Sequence, residues 1–271
     1  MSLLWRERTR IALSPHGVAL VRFGRGLGVR VIERKSIACA EAKGQANWVG
    51  AVEALRELLA HPGVGKGEAT LVLSSHFVRY LVLPWSAELV TEAEELEFGR
   101  TRFMQVFGQV ARDWTIVVSA APAGAARLCA AVDQALIGAL TGAIAASALR
   151  LVSVQPALMV QFNEWRRRIG AEGWLVIAEQ GRLIVAWVCG GQWRSVRARA
   201  LNPATIPLAQ VLEQEWLLLS AGGGEHKVFL AKMGYVIVET EGLRVERLAL
   251  RGALARAAGA DACLALAMCG I

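Results

Sequence analysis

The chain has 271 residues, 55% of them hydrophobic, with a net charge of +7 at pH 7 and a mean hydropathy of +0.40. That apolar share excludes a disordered chain, and the length suits two domains or one large one. The most apolar run, residues 135–149, is bracketed by Asp133 and Arg150. It falls short of the ~18 apolar residues that a membrane span needs, so it reads as buried helix.

The N-terminal segment carries charges by residue 6 and has no long apolar region, so no signal peptide is expected. The first predicted element is a hairpin. Residues 11–13 and 18–23 are apolar or alternating, and Ser14-Pro15-His16-Gly17 supplies turn chemistry. A third strand covers roughly residues 29–39. A helix follows, with Trp48, Val52, Leu55 and Leu59 on one face, and His61-Pro62-Gly63 ends it. Residues 70–73 and 78–83 read as a second hairpin, stopped by Pro84, which has no amide to donate. Both turns carry Leu-Ser-x-His-x-Val, at 13–18 and 73–78.

Thr91 followed by Glu94 has capping-box form and starts a helix that buries Leu96, Phe103 and Phe107. A strand is expected over 114–119. Residues 124–149 read as one Ala-rich helix with Leu128, Val132, Leu136 and Leu140 among its apolar positions.

The pattern then restarts. A short strand at 151–154 leads through Pro156 into a helix with Leu158, Phe162, Trp165 and Ile169 inward. Strands at 174–178 and 183–188 flank the turn Glu179-Gln180-Gly181-Arg182, and a third strand covers 193–201. A helix over 205–220 ends at Gly222-Gly223-Gly224. Strand-like runs at 228–231, 235–239 and 243–250 precede a small-residue helix over 253–268. Three strands and a helix thus open each half, which predicts two related α/β domains, residues 1–154 and 155–271. Ligands favour the cleft between such domains.

The chemistry-bearing residues are few. Cys39, Cys129, Cys189, Cys263 and Cys269 are widely spaced and form no CxxC, which argues against a zinc site or a disulfide framework. No metal is expected. Gly63-Val64-Gly65-Lys66-Gly67 is too short for a phosphate loop and precedes its strand, so it reads as a linker. Gly24 to Gly28 joins two strands and opens no helix, unlike a dinucleotide fingerprint. His16 and His76 occupy equivalent turns and could face each other across a cleft; with His61 and His226 they read as turn or surface histidines. The arginines at 166–168 and the set Arg194, Arg197 and Arg199 read as a solvated helix end and a strand's outer face. No aromatic residues interleave with them, which disfavours nucleic acid. Among the nine tryptophans, Trp5 and Trp85 lie beside a terminus and a loop and are the candidates for a docking surface.

A hairpin, third strand and helix used twice resembles the actin-like (ribonuclease H-like) fold: duplicated α/β domains with mixed sheets flanked by helices. The stretch Ser74 to Pro84, the helix ending in Phe107-Gly108, the strand with Trp114, and residues 149–156 before a helix narrow the resemblance. They are similar to the actin-like cytoplasmic assembly proteins of bacterial type IV pilus and type II secretion systems, the PilM family and the cytoplasmic region of the GspL family. The resemblance is spread over most of the chain.

That resemblance implies nucleotide loops at Ser14, His16, Gly17, Glu179, Gly181 and Gly234. In actin-like ATPases the first turn carries Asp-x-Gly; here it has no carboxylate, and Pro15 removes an amide. The second turn has Glu179, with the following Gln180 and Gly181 read as a departure in order. The adenosine segment has the single glycine Gly234, followed by Tyr235. A magnesium-bound triphosphate needs acids for the metal and free amides for phosphate, so ATP and magnesium are disfavoured and no cofactor is expected. The implied role is a non-catalytic scaffold, cytoplasmic and at the inner face of the bacterial inner membrane. It would hold the cytoplasmic tail of an inner-membrane assembly protein, with room for a homodimer and only peripheral membrane contact. The alternative is an active actin-like ATPase or small-molecule kinase with unusual loops.

Overall fold

The computed structural model describes residues 7–24, 29–40, 46–61, 63–200, 207–219, 227–232 and 243–271. Trp5, His226, Gly234, the glycines at 222–224 and the strand expected over 235–239 lie outside the described residues.

The first hairpin forms where its turn residues require. Strand β1 (Arg8–Ser14) pairs antiparallel with β2 (Gly17–Phe23), Ser14 opposite Gly17, and β3 (Val31–Ala38) pairs with β2. Helix α1 (Val49–Ala60) turns Val52, Leu55 and Leu58 inward. Strand β4 (Gly67–Leu73) then runs parallel beside β1, with Leu73 next to Leu13.

Two sequence expectations fail in the next stretch. Strand β5 (Val78–Leu83) makes no hairpin with β4. Both edges of β4 are taken by parallel partners, β1 on one side and residues 149–156 on the other, so no edge remains for β5. The chain instead leaves to build a three-stranded sheet. Helix α2 (Glu92–Phe107) starts at the expected capping box: Thr91 Oγ1 accepts from the Glu94 amide and Glu94 accepts from the Thr91 amide. A 3-10 turn (Gln109–Asp113) leads into β6 (Trp114–Val118). The residues expected to begin a long helix are strand β7 (Arg127–Asp133), central between β5 and β6. Leu128 and Val132 have helical spacing, but the run also alternates, and a ladder on each side decides the matter. Only α3 (Gln134–Ala145) is helical, capped by Asp133, whose Oδ1 accepts from the Ala135 amide at 2.8 Å. Leu136, Leu140, Ala143 and Ile144 are its buried face.

Strand β8 (Leu149–Pro156) returns to the edge of β4. Helix α4 (Ala157–Ile169) buries Leu158, Trp165 and Ile169. The opening pattern then repeats as β9 (Gly173–Glu179), β10 (Arg182–Cys189) and β11 (Gln192–Ala200), followed by α5 (Leu208–Leu218). Strand β12 (Val228–Lys232) runs parallel to β9, and β13 (Val245–Leu248) parallel to β12. The expected C-terminal helix is two, α6 (Gly252–Ala258) and α7 (Ala262–Met268). Gly259 sits at φ +58°, a conformation that L side chains disfavour, and ends α6. The Asp261 carboxylate accepts from the Leu264 amide at 2.9 Å and starts α7.

Among the described residues there are thus two five-stranded sheets of matching order, β3-β2-β1-β4-β8 and β11-β10-β9-β12-β13, and a smaller sheet β5-β7-β6. Strand β9 is buried along its whole length: Trp174 and Val176 pack under α5, while Leu175 and Ile177 join a core that continues to Leu13, Leu20 and Leu71 of the first sheet. Burial on both faces gives a continuous apolar run rather than alternation. Each fully buried leucine in that core stabilises by roughly 2 kcal/mol. Helix α7, buried from Cys263 to Met268, packs on β1 and β2, so the last helix closes against the first hairpin. No helix among the described residues is long and apolar enough to cross a membrane.

Candidate functional site

The repeated Leu-Ser-x-His-x-Val has a geometric meaning. Because β1 and β4 are parallel and in register at Leu13 and Leu73, their following turns lie side by side. In each, the serine hydroxyl folds back on the turn. Ser14 Oγ accepts from the amides of His16 at 3.2 Å and Gly17 at 3.1 Å; Ser74 Oγ accepts from the His76 amide at 3.2 Å. The two imidazoles then meet edge to face, with ring centroids 5.6 Å apart.

The turn between β9 and β10 faces this pair from the second sheet. Gly181 holds its corner at φ +74°. Glu179, only 6% exposed, reaches across: Ser74 Oγ donates to Oε2, and the Ser75 amide donates to Oε1 at 3.1 Å. Ser74 and Ser75 are fully buried. His76 Nε2 lies 2.9 Å from the Gln180 carbonyl. A carbonyl only accepts, so Nε2 carries the proton in this contact. Burial pushes the His76 imidazole below its ordinary value, against the raising influence of Glu179 and the Gln180 carbonyl. Arg182 and His16 add to the lowering. Burial likewise lowers the Arg182 guanidinium, and Glu179 opposes that.

Between the turns lies a cavity of about 380 Å3, lined among others by Ser14, His16, Gly17, Glu179, Asp261 and Cys263. Gly17 allows a close approach: a Cβ there would stand 3.2 Å from the Ile37 carbonyl oxygen, a tight contact, and 3.6 Å from Cys263 Sγ. Cys263 Sγ donates to the Gly17 carbonyl at 3.1 Å, and burial pushes its thiol up to about 12, so it is no nucleophile at neutral pH. Among the described residues no three His, Cys, Asp or Glu side chains cluster as metal ligands.

The residues singled out from the sequence fall as follows. Ser14, His16, Gly17 and Glu179 line one cavity, and Gly181 shapes the turn beside it. Gly234 and Trp5 lie outside the described residues. Trp85 is 45% exposed just beyond β5, away from the cavity. Sequence reasoning missed Ser74 and Ser75 as partners of Glu179, and Asp261 and Cys263 as cavity wall. A partner 105 residues distant leaves no local signal. Glu179-Gln180-Gly181 in fact keeps the carboxylate-x-glycine spacing; what distinguishes this turn is that its carboxylate is already engaged across the cleft.

Two mixed sheets of the same strand order, joined by helices and meeting at their hairpin turns, give this chain an actin-like fold. Solved structures agree. The chain resembles a protein of the PilM–PilN type IV pilus biogenesis complex at 12% identity and TM-score 0.67, covering 96% of this chain and 97% of that one. It resembles the cytoplasmic domain of EpsL, an inner-membrane component of the type II secretion system of Vibrio cholerae, at 13% identity and TM-score 0.56, covering 90% of each. It also resembles a Bacteroides thetaiotaomicron protein with an actin-like ATPase fold and unknown function, at 10% identity and TM-score 0.57, covering 87% and 86%. At such identities the likeness is one of fold. No protein-family model matches the sequence, and a search of curated proteins gives no match.

Proposed function

We propose that this chain is a non-catalytic actin-like scaffold of a pilus or type II secretion assembly platform. It sits in the cytoplasm at the inner membrane and holds the cytoplasmic tail of an inner-membrane partner. The fold shared with the PilM–PilN complex and with the EpsL cytoplasmic domain supports the setting. One observation carries the non-catalytic reading: the groups that would grip a magnesium-bound triphosphate already bond to each other. The Glu179 carboxylate is held by Ser74 and Ser75, the His16 and Gly17 amides turn to Ser14 Oγ, and Pro15 has no amide to offer. Opening these bonds to admit nucleotide costs about 1–3 kcal/mol for each buried group left unpaired.

Thermal unfolding with Mg-ATP tests the reading. No rise in Tm is expected at millimolar nucleotide, and no hydrolysis. A ligand at 100-fold its Kd stabilises by ~3 kcal/mol, and a rise of that size would overturn the proposal in favour of an ATPase or kinase. The scaffold role itself is tested by a pull-down from the native host, scored for an inner-membrane assembly protein. Co-purification is expected, and its absence counts against the role.

A further inference from the structure

Five arginines line a second, larger groove, and the fold treats them unequally. The groove, of about 670 Å3, lies between β5 and β11, with the end of α2 as its apolar wall. Among the described residues both strands are sheet edges: β5 pairs only with β7, and β11 only with β10. They touch each other without a ladder between them. An unpaired edge presents amides and carbonyls to any extended chain that approaches.

Arg197 and Arg199 are neutralised within the fold. Both bond to Glu215, which is 1% exposed. The other three have no carboxylate partner among the described residues. Arg79 Nη1 donates to the carbonyls of His76 and Val78, at 3.1 and 3.3 Å. The Arg182 Nε is buried with no hydrogen-bond partner among the described residues. Glu179 offsets that charge at longer range, but its oxygens are engaged by Ser74 and Ser75. Arg194 is exposed at a β-bulge, the extra residue between the pairs Trp187–Ser195 and Val188–Trp193. Bulges on edge strands re-aim a side chain. Arg79 and Arg182 are half-buried, and the charge of Arg182 disfavours that of Arg79. Like charges partly withdrawn from water with no carboxylate bonded to them favour an anion that can bond to them.

We propose that this groove binds an acidic, extended segment of a partner polypeptide. The segment adds as a strand beside β11, its carboxylates meeting Arg79, Arg182 and Arg194 and its alternate apolar side chains resting on Val106 and Phe107. Strand addition uses both the amides and the carbonyls of an open edge, with side-chain pockets giving specificity. A phosphate backbone accepts from amides but has nothing to donate to the carbonyls, which favours a peptide over nucleic acid or anionic lipid. Carboxylates suit arginine forks bidentately. The proposal builds on the scaffold reading by giving its partner a surface and a chemistry.

The test is fluorescence anisotropy with a labelled peptide of about eight residues, alternating glutamate and valine, matched to the usual strand length. A second peptide carries lysine in place of glutamate. The wild-type chain is expected to bind the acidic peptide alone, and less tightly as salt rises. Arg194→Glu, at an exposed position, should weaken binding tenfold or more, and Arg79→Gln severalfold; unchanged unfolding of Arg194→Glu certifies the fold. Four results would overturn the proposal. They are no binding at about 1 mM, which corresponds to roughly −4 kcal/mol; equal binding of the lysine peptide; undiminished binding by Arg194→Glu; and capture of duplex DNA or phosphatidylglycerol vesicles instead, lost in the same variant. Failure here with no Mg-ATP effect removes the groove and leaves the scaffold. A Mg-ATP effect removes the scaffold whatever the peptide does.

Discussion

Replacing Glu179 by alanine separates a structural tie from a metal ligand. In the folded chain this carboxylate accepts from the Ser74 hydroxyl and the Ser75 amide, both fully buried and both on the opposite side of the cleft. A hydrogen bond to a charged group contributes about 1.5–3 kcal/mol, and a buried donor left without an acceptor costs about as much. The adjoining cavity admits water, which recovers part of that loss. The net expectation for Glu179→Ala is a destabilisation of about 3 kcal/mol, a Tm drop of roughly 6–12 °C for a chain of this size. Glu179→Gln keeps one good acceptor and should lose about half as much. Urea unfolding followed by the fluorescence of the nine tryptophans reads both. A carboxylate kept for a metal would behave oppositely, because removing it relieves strain at a functional site and leaves stability unchanged or raised. Glu179→Ala within about 0.5 kcal/mol of wild type would refute the tie.

Three further outcomes follow from the geometry. Arg10 is 8% exposed, and its Nη1 donates to the carbonyls of Cys269 and Gly270 at 2.6 and 2.9 Å, fastening the segment after α7 to β1. Arg10→Met should destabilise by about 2 kcal/mol in urea and speed hydrogen exchange in α7 before other elements. The His76 imidazole is held below its ordinary value of 6.5, so between its folded and unfolded values the unfolded chain binds more protons. Its contribution is therefore fully present above about pH 6.5 and is lost as pH falls towards the folded value; the urea midpoint of wild type should fall more from pH 7.5 to 5.5 than that of His76→Asn. Burial raises the thiol of Cys39 to about 11 and those of Cys129, Cys263 and Cys269 to about 12, so all four should resist a thiol reagent at pH 8 until denaturant is added. Rapid labelling of any of the four in the folded chain would contradict the packing described.

Local chemistry made much of the fold legible. The proline and glycine of the first turn, the Thr91–Glu94 box, and the recurrence of three strands before a helix each act within a few residues, and each is where the sequence puts it. The cleft histidines were legible too, because the same turn motif stands at 13–18 and 73–78. Helix and strand could not be told apart over residues 127–133, where Leu128 and Val132 fit either period and only ladders on both sides settle the state.

By itself the sequence determined most of the elements and the recurrence of three strands before a helix, since alternation, caps and turns are properties of neighbouring residues; the actin-like fold entered as a resemblance. Only the tertiary structure decided that β4 has both edges filled and casts β5 out, that Ser74 and Ser75 engage Glu179, and that Arg79 and Arg182 join Arg194 while Arg197 and Arg199 turn to Glu215. These are encounters between distant segments. A residue type fixes what a side chain can bond to, but strand pairing fixes which partner arrives first.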